Sequence, residues 1–336
     1  MPPPVAVSII IPNYNHALYL KQRIDSVLQQ TFQDFELIIL DDCSTDNSRQ
    51  IIEEYRTHPK VSKMVYNEQN SGGVFKQWIK GIENAKGEYI WIAESDDYAD
   101  ENFLQQTLKV IEKDDFIGMV FTNTNTVNSE GEFRWTTEEN KSNCYAELAT
   151  LDNTINKDNA SQFLVSEMII ANASSVLFRK SSLVAINFEE LKKFVNTGDR
   201  FVYLGIALQS NIVYISKPLN FMRSHEHNTT KKSFENGNIH KDRLRVLNYY
   251  FNDLCATELN CRNVVAFYKT NYLSFIHYGD YYDNAALLKK LKERNEIQNS
   301  FYHVVMFNLF LFRKANINSR ILKGLYYRIL VRQNSL

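Results

Sequence analysis

Three carboxylates fall within four residues at Glu94-Ser95-Asp96-Asp97, directly after the apolar run Tyr89 to Ala93. Carboxylates this close repel one another, so a fold keeps them together only where something offsets the charge. One arrangement is a hard divalent cation, which takes oxygen ligands and shares them with phosphate. The other is a solvated turn leading into a helix, whose N-terminus favours acids. Asp41-Asp42 likewise ends the apolar run Phe35 to Leu40, and the polar loop Pro12-Asn13-Tyr14-Asn15 follows Val5 to Ile11.

The surrounding elements decide between these two readings. The segment His16 to Gln30 carries Leu20, Ile24, Val27 and Leu28 at helical spacing. A helix is expected to run through Tyr55 after a cap at Ser44 or Thr45. Val61 to Tyr66, Tyr89 to Ala93 and Phe116 to Asn123 read as further strands, and Val74 to Ala85 and Glu101 to Lys113 as helices. Strands alternating with helices point to an α/β domain with a largely parallel sheet. Ligands of such sheets lie beyond the carboxyl ends of the strands. The three polar loops therefore share one edge, which favours the ligand reading of the acids over the turn reading.

Composition narrows the rest. The 336 residues are 44% hydrophobic with a net charge of −1, ordinary for a globular chain and without the basic excess of a nucleic-acid binder. Cys43, Cys144, Cys255 and Cys261 are scattered, suggest neither a zinc site nor a disulfide framework, and fit a reducing compartment. The first residues lack a basic n-region, and no apolar run reaches the ~18 residues of a membrane span. A cytoplasmic protein is expected. The loop after the first strand has no glycine, which excludes a dinucleotide fingerprint, and no P-loop lysine motif occurs.

The runs V-S-I-I-I-P-N-Y-N, E-L-I-I-L-D-D-C-S-T-D, N-S-G-G-V-F-K-Q-W-I-K-G-I-E-N-A-K-G-E-Y-I and E-S-D-D, in this order and register, resemble a family 2 glycosyltransferase over about residues 5 to 125. A weaker likeness extends to about residue 230. The resemblance implies the GT-A fold of nucleotide-diphospho-sugar transferases: an α/β chain with a mostly parallel central sheet flanked by helices, here with a helical C-terminal extension. It implies a division into residues 1–235, the transferase domain with its nucleotide-sugar half at about 5–125 and acceptor half at about 126–235, and 236–336, a helical region.

By the same resemblance Pro12 and Tyr14 border the base, Asp41 contacts uracil or ribose, and Lys76 lies near base and phosphates in place of the family's Arg-Asn pair. Asp96 reaches the ribose or a metal-bound water, and Asp97 is the metal ligand, for Mn²⁺ or Mg²⁺. Glu94 stands where many relatives have Asp. Ala171 to Arg179 reads as a strand with small residues where a sugar could approach. The family's catalytic base lies in an E-D pair before a helix. Here the pair is Gly198-Asp199, which leaves Asp199 as the base ahead of a helix over Arg200 to Gln209. The strand Asn211 to Leu219 leads to an R-x-H element in which Arg223 contacts diphosphate and His225 the metal.

The implied reaction is inverting transfer from a nucleotide-diphosphate sugar, a UDP-sugar foremost, to a hydroxyl of a growing glycan or lipid-linked glycan. The competing reading is a non-catalytic nucleotide-sugar-binding protein with a decayed site. Glycine-rich nucleotidyltransferase loops and the Q-x-x-R-W motif of processive synthases are absent. In the tail, Arg313, Lys314, Arg320, Lys323, Arg328 and Arg332 alternate with apolar residues and no acid follows Glu296. Two readings stand: a basic amphipathic helix lying on anionic membrane, or a helix packed on the catalytic domain.

Overall fold

The structure, a computed structural model, describes residues 5–225 and 233–314. Among these, β1 (Val7–Asn13), β2 (Phe35–Asp41), β3 (Val61–Tyr66) and β4 (Tyr89–Ile92) alternate with α1 (Ala17–Leu28), α2 (Ser48–Glu53) and α3 (Val74–Asn84). The two-residue β5 (Tyr98–Ala99), α4 (Phe103–Ile111) and β6 (Ile117–Val127) follow. Then come β7 (Phe133–Thr136), β8 (Thr154–Ile155), β9 (Val176–Arg179), α5 (Gly198–Ala207) and β10 (Asn211–Arg223). The principal helices after residue 233 are α6 (Asn238–Tyr249), α7 (Glu258–Tyr278), α8 (Tyr281–Glu293) and α9 (Asn299–Lys314).

The sheet runs β3-β2-β1-β4-β9-β6-β10-β5, with β7 against β6 and β8 against β10. The β3-β2-β1-β4 half is parallel throughout, and β9 is inserted antiparallel between β4 and β6. The inner strands are continuously apolar because both faces are covered, and successive side chains alternate between two cores. Ile10, Ile38, Leu40, Ile90 and Ile92 point to one face, with α3 and α5. Ile9, Ile11, Leu37, Ile39 and Trp91 point to the other, with α1 and α4. The first core continues without a break into Leu244, Tyr250, Tyr268 and Leu288 of the C-terminal helices.

Some expected local features differ. No side chain caps α2; Asp46 instead binds the Ser48 N–H at 3.0 Å and the Ala17 N–H at 2.9 Å, tying the starts of two helices together. The strand expected from Ala171 begins only at Val176. Before it, Ala173–Ser175 form a 3₁₀ turn, held off the ladder because Ser174 is bonded to Trp91, Glu94 and Arg23. Cys255 and Cys261, which no sequence motif links, are joined as a disulfide. No described helix is long and apolar enough to cross a membrane. Of the tail expected at the membrane, residues 300 to 336, only the part in helix α9, to Lys314, is described; it exposes Val304, Phe307 and Phe310, and the rest lies outside the described residues.

The close approach of β1 to the turn before β4 requires Gly87. A Cβ there would lie 2.5 Å from the Ser8 nitrogen and 2.7 Å from the Val7 carbonyl carbon, both backbone atoms that cannot swing aside. Gly87→Ala is expected to cost about 1–3 kcal/mol in denaturant melts. At Gly73, where the nearest atom to a Cβ is 3.9 Å away, the same change should be tolerated.

Candidate active site

Parallel register brings the first two polar loops together. Asn13 and Asp41 are paired across β1 and β2, and the Asn13 amide donates to Asp41 at 2.9 Å. Asp41 also accepts the Ser44 N–H at 3.1 Å. Pro12 is buried within β1, and Tyr14 stands 47% exposed beside it, an open aromatic face at the sheet edge. Asp42 has a structural task. It accepts from Asn67, Ser71 and Gln77 and so fixes the loop into α3. Lys76 is exposed, with its ammonium on the Ser71 carbonyl at 2.7 Å.

The three acids after β4 have different surroundings. Glu94 accepts from the Trp78 indole at 2.9 Å. Burial, joined by repulsion from Asp96, pushes its carboxyl up to about 8. Asp97 is 3% exposed and bonded on both oxygens, by the Arg223 backbone N–H at 2.9 Å and by the Asn172 amide. Burial and then Asp96 raise its pKa, against the opposing charge of Arg23. Arg23 itself is fully buried on α1. Its guanidinium donates to the Glu94 carbonyl at 2.8 Å and to Ser174 at 2.9 Å, and lies 3.9 Å from Asp97.

Asp96 turns the other way and meets His225 Nε2 at 3.1 Å. His16 joins them, so that ligand atoms of His16, Asp96 and His225 all lie within 4.8 Å of one another. This group differs from the expected pair of Asp97 and His225. Asp97 faces inward to protein donors, and Asp96 is the carboxylate beside the two imidazoles. One carboxylate and two imidazoles suit Mn²⁺ better than Mg²⁺, which prefers an all-oxygen octahedron. Arg223, expected at the diphosphate, donates instead to the carbonyls of Asp96, Asn128 and Ser129 and to Gln22, between the rings of Tyr19 and Tyr98. As placed, it clamps the loops around the acids.

Asp199 opens α5 and lines a cavity of about 610 Å³. Its carboxylate accepts the Arg200 N–H at 2.8 Å. Burial pushes it up to about 6, opposed by that hydrogen bond and by the Arg200 charge. Ala171 lines the same cavity, and its neighbour Asn172 is the residue bonded to Asp97, so the cavity and the acid cluster adjoin. At the missing first acid, a Cβ at residue 198 would come within 2.7 Å of the Phe75 ring, so a glutamate there would require the ring to shift.

Sequence reasoning missed three of these residues. His16 opens the segment read as a helix, and nothing in that apolar spacing marks it as a ligand. Arg23 sits among Leu20, Ile24 and Val27, and its one signal was a charge on an apolar stripe. Asp242 of α6 is 2% exposed and accepts the backbone N–H groups of Val195, Asn196 and Thr197 at 3.0, 2.7 and 3.1 Å. It thereby fixes the loop that presents Asp199. Nothing near Asp242 in the sequence announces this. Asp242→Ala removes the shared acceptor of three backbone N–H groups, of which that of Thr197 is buried, a loss of roughly 1–3 kcal/mol expected in thermal melts. The isosteric Asp242→Asn, which keeps one acceptor oxygen, should recover part of it.

Comparison with known proteins identifies the family and the fold. The family model described as Glycosyl transferase family 2 matches residues 8–182. Glycosyltransferase GlyG of Streptococcus pneumoniae serotype 4 is 29% identical over 240 residues, 68% of this chain and 74% of that protein. The poly(ribitol-phosphate) beta-N-acetylglucosaminyltransferase TarS of Staphylococcus aureus is 36% identical over 110 residues, 32% of this chain and 19% of that one. The crystal structure of TarS residues 1–349 with UDP-GlcNAc superposes with a TM-score of 0.61 at 18% identity, covering 86% of this chain and 80% of that one. The mannosyltransferase PcManGT of Pyrobaculum calidifontis, solved with GDP-Man and Mn²⁺, gives 0.55 at 14% identity, covering 94% and 88%. These two likenesses establish the GT-A fold. With the family match over more than half its length, the chain belongs to glycosyl transferase family 2 and is a glycosyltransferase.

Proposed function

We propose that this glycosyltransferase moves a hexosyl or N-acetylhexosaminyl group from a nucleotide-diphosphate sugar, UDP-linked foremost, to a hydroxyl of a growing cell-surface glycan, with inversion. The observation that carries this reading is Asp199. It is a buried carboxylate with raised proton affinity, at the wall of a cavity that adjoins an acid cluster at the carboxyl end of the sheet. The donor reading is supported by the UDP-GlcNAc held by TarS, and GDP in the mannosyltransferase keeps the base a matter for experiment. Names among the relatives, including a putative teichuronic acid glycosyltransferase of Bacillus subtilis, support a cell-envelope polysaccharide as product.

In this reading Asn13, Asp41 and Tyr14 receive the nucleoside, with Pro12 shaping the floor of their loop and Lys76 at its margin. Asp96, His16 and His225 would hold a divalent cation, Mn²⁺ by preference, which when bound neutralises the leaving diphosphate as a Lewis acid. Arg23 holds Asp97, and Asp97 holds Arg223 and Asn172, so the ligand Asp96 is fixed at its neighbour's backbone. Asp199 takes the proton of the acceptor hydroxyl as that oxygen attacks the anomeric carbon. No covalent sugar–enzyme species is needed. The division at about residue 235 is proposed as a division of the chain rather than of function, because α6 and α7 line the acceptor cavity.

Two measurements test the roles. Turnover should rise with pH through about 6, as Asp199 loses its proton, and level off above. Asp199→Asn should abolish that limb and lower turnover roughly 10²–10⁴-fold, with UDP-sugar binding intact. Loss of UDP-sugar affinity with turnover retained would assign Asp199 elsewhere. A chain that binds UDP-sugars yet releases no UDP with any acceptor would be the non-catalytic binder.

The metal site has its own test. Chelation should stop transfer and Mn²⁺ restore it. His16→Ala and Asp96→Asn should each raise the Mn²⁺ concentration needed about 10–100-fold. Unchanged activity in excess EDTA would remove the metal from the mechanism.

A further inference from the structure

The cavity beside Asp199 carries an unusual load of positive charge. Lys141, Arg200 and Arg243 all line it, against Glu167 and Asp199. Among the described residues no carboxylate forms an ion pair with Arg200 or Arg243. Arg200 is only 5% exposed; its guanidinium donates to the Val165 carbonyl at 2.9 Å, and its Nε has no hydrogen-bond partner among the described residues. The Nε of Arg243 is likewise buried without a partner. Both guanidinium groups lie beside the Phe267 ring, at 5.8 and 6.0 Å, so two like charges are held around one aromatic side chain.

Holding two guanidinium groups together with buried, unpartnered donors is costly. Burial first, and then repulsion from Arg243, lowers the proton affinity of Arg200. Buried donors of this kind are retained where an acceptor oxygen arrives to use them. The charges come from three separate parts of the chain: the segment before β8, the start of α5, and α6. Phe234 and Phe267 add apolar faces, and Thr270 and Asn271 add neutral polar groups, a lining that suits a sugar ring as well as its charge.

We infer that this cavity is the acceptor site and that it takes a glycan bearing an anionic group, a phosphodiester or a uronate, close to the hydroxyl that is glycosylated. Arg243 and Lys141 bind the anion, and Arg200 completes the field beside Asp199. The inference rests on Asp199 being the acceptor-facing base, and it deepens that reading by naming the acceptor's charge.

The test uses the full chain with saturating UDP and Mn²⁺, so that the diphosphate site is filled. A glycerol-phosphate trimer, a glucuronate-containing trisaccharide and a neutral trisaccharide are titrated in by calorimetry. At least one anionic probe should bind about tenfold or more tighter than the neutral one, and the stronger arm identifies phosphate or carboxylate. Rising ionic strength should weaken that binding. Arg243→Gln and Lys141→Gln should each cost about tenfold, the worth of one charge-assisted hydrogen bond. Equal affinity for neutral and anionic probes, or anionic affinity unchanged in both variants, would overturn the inference. UDP titrated alone into the wild-type chain reports separately on the donor site. Anion binding without UDP binding would defeat the donor reading and leave the cavity's charge preference standing.

Discussion

The structure depends on holding carboxylates together where they repel. Glu94, Asp96 and Asp97 leave the end of β4 within four residues, and Asp97 is almost fully buried. Arg23 makes this possible from beneath. Its guanidinium binds the backbone at Glu94, the side chain of Ser174 and the field of Asp97, and it rests against Trp91. A buried ion pair adds little net stability, because the desolvation of both partners offsets their attraction. What it supplies is direction. With Asp97 committed inward, Asp96 is left to face the two histidines.

The second dependence runs from the C-terminal helices to the loop before Asp199. Asp242 lies well beyond the span of the family match, yet three of its bonds shape the backbone just before Asp199. Its neighbour Arg243 lines the cavity. One turn of α6 therefore shapes both the loop before Asp199 and the charge on the cavity wall. The continuous core from Ile10 to Leu288 explains how so remote a helix is held with the required accuracy. The departure from the family's acidic pair also belongs here, since a larger residue at 198 would require the Phe75 ring to shift.

Much of the fold was legible in the sequence because the central strands are buried on both faces. Uninterrupted apolar runs such as Phe35 to Leu40 and Tyr89 to Ala93 leave few alternatives, and the expected boundaries of β3 coincide with the observed ones. The common edge of the three polar loops followed from parallel topology alone, and the register of Asn13 on Asp41 realises it. The antiparallel insertion of β9 was not legible, since no local signal states which strands will become neighbours.

The sequence by itself determined the class of chemistry, an acid cluster at a sheet edge with a lone acid before a later helix, because residue type and strand-to-loop order are local properties. Only the tertiary structure decided which acid faces which partner. Asp96 rather than Asp97 meets His225, His16 enters from another loop, and Arg223 turns its donors to carbonyls. Asp242 and the cationic cavity were likewise invisible, because their partners lie tens of residues away and their roles arise from distance in space. A side chain's pattern in sequence reports its burial, whereas its function depends on where its polar atoms end, and that is fixed only when distant elements pack together.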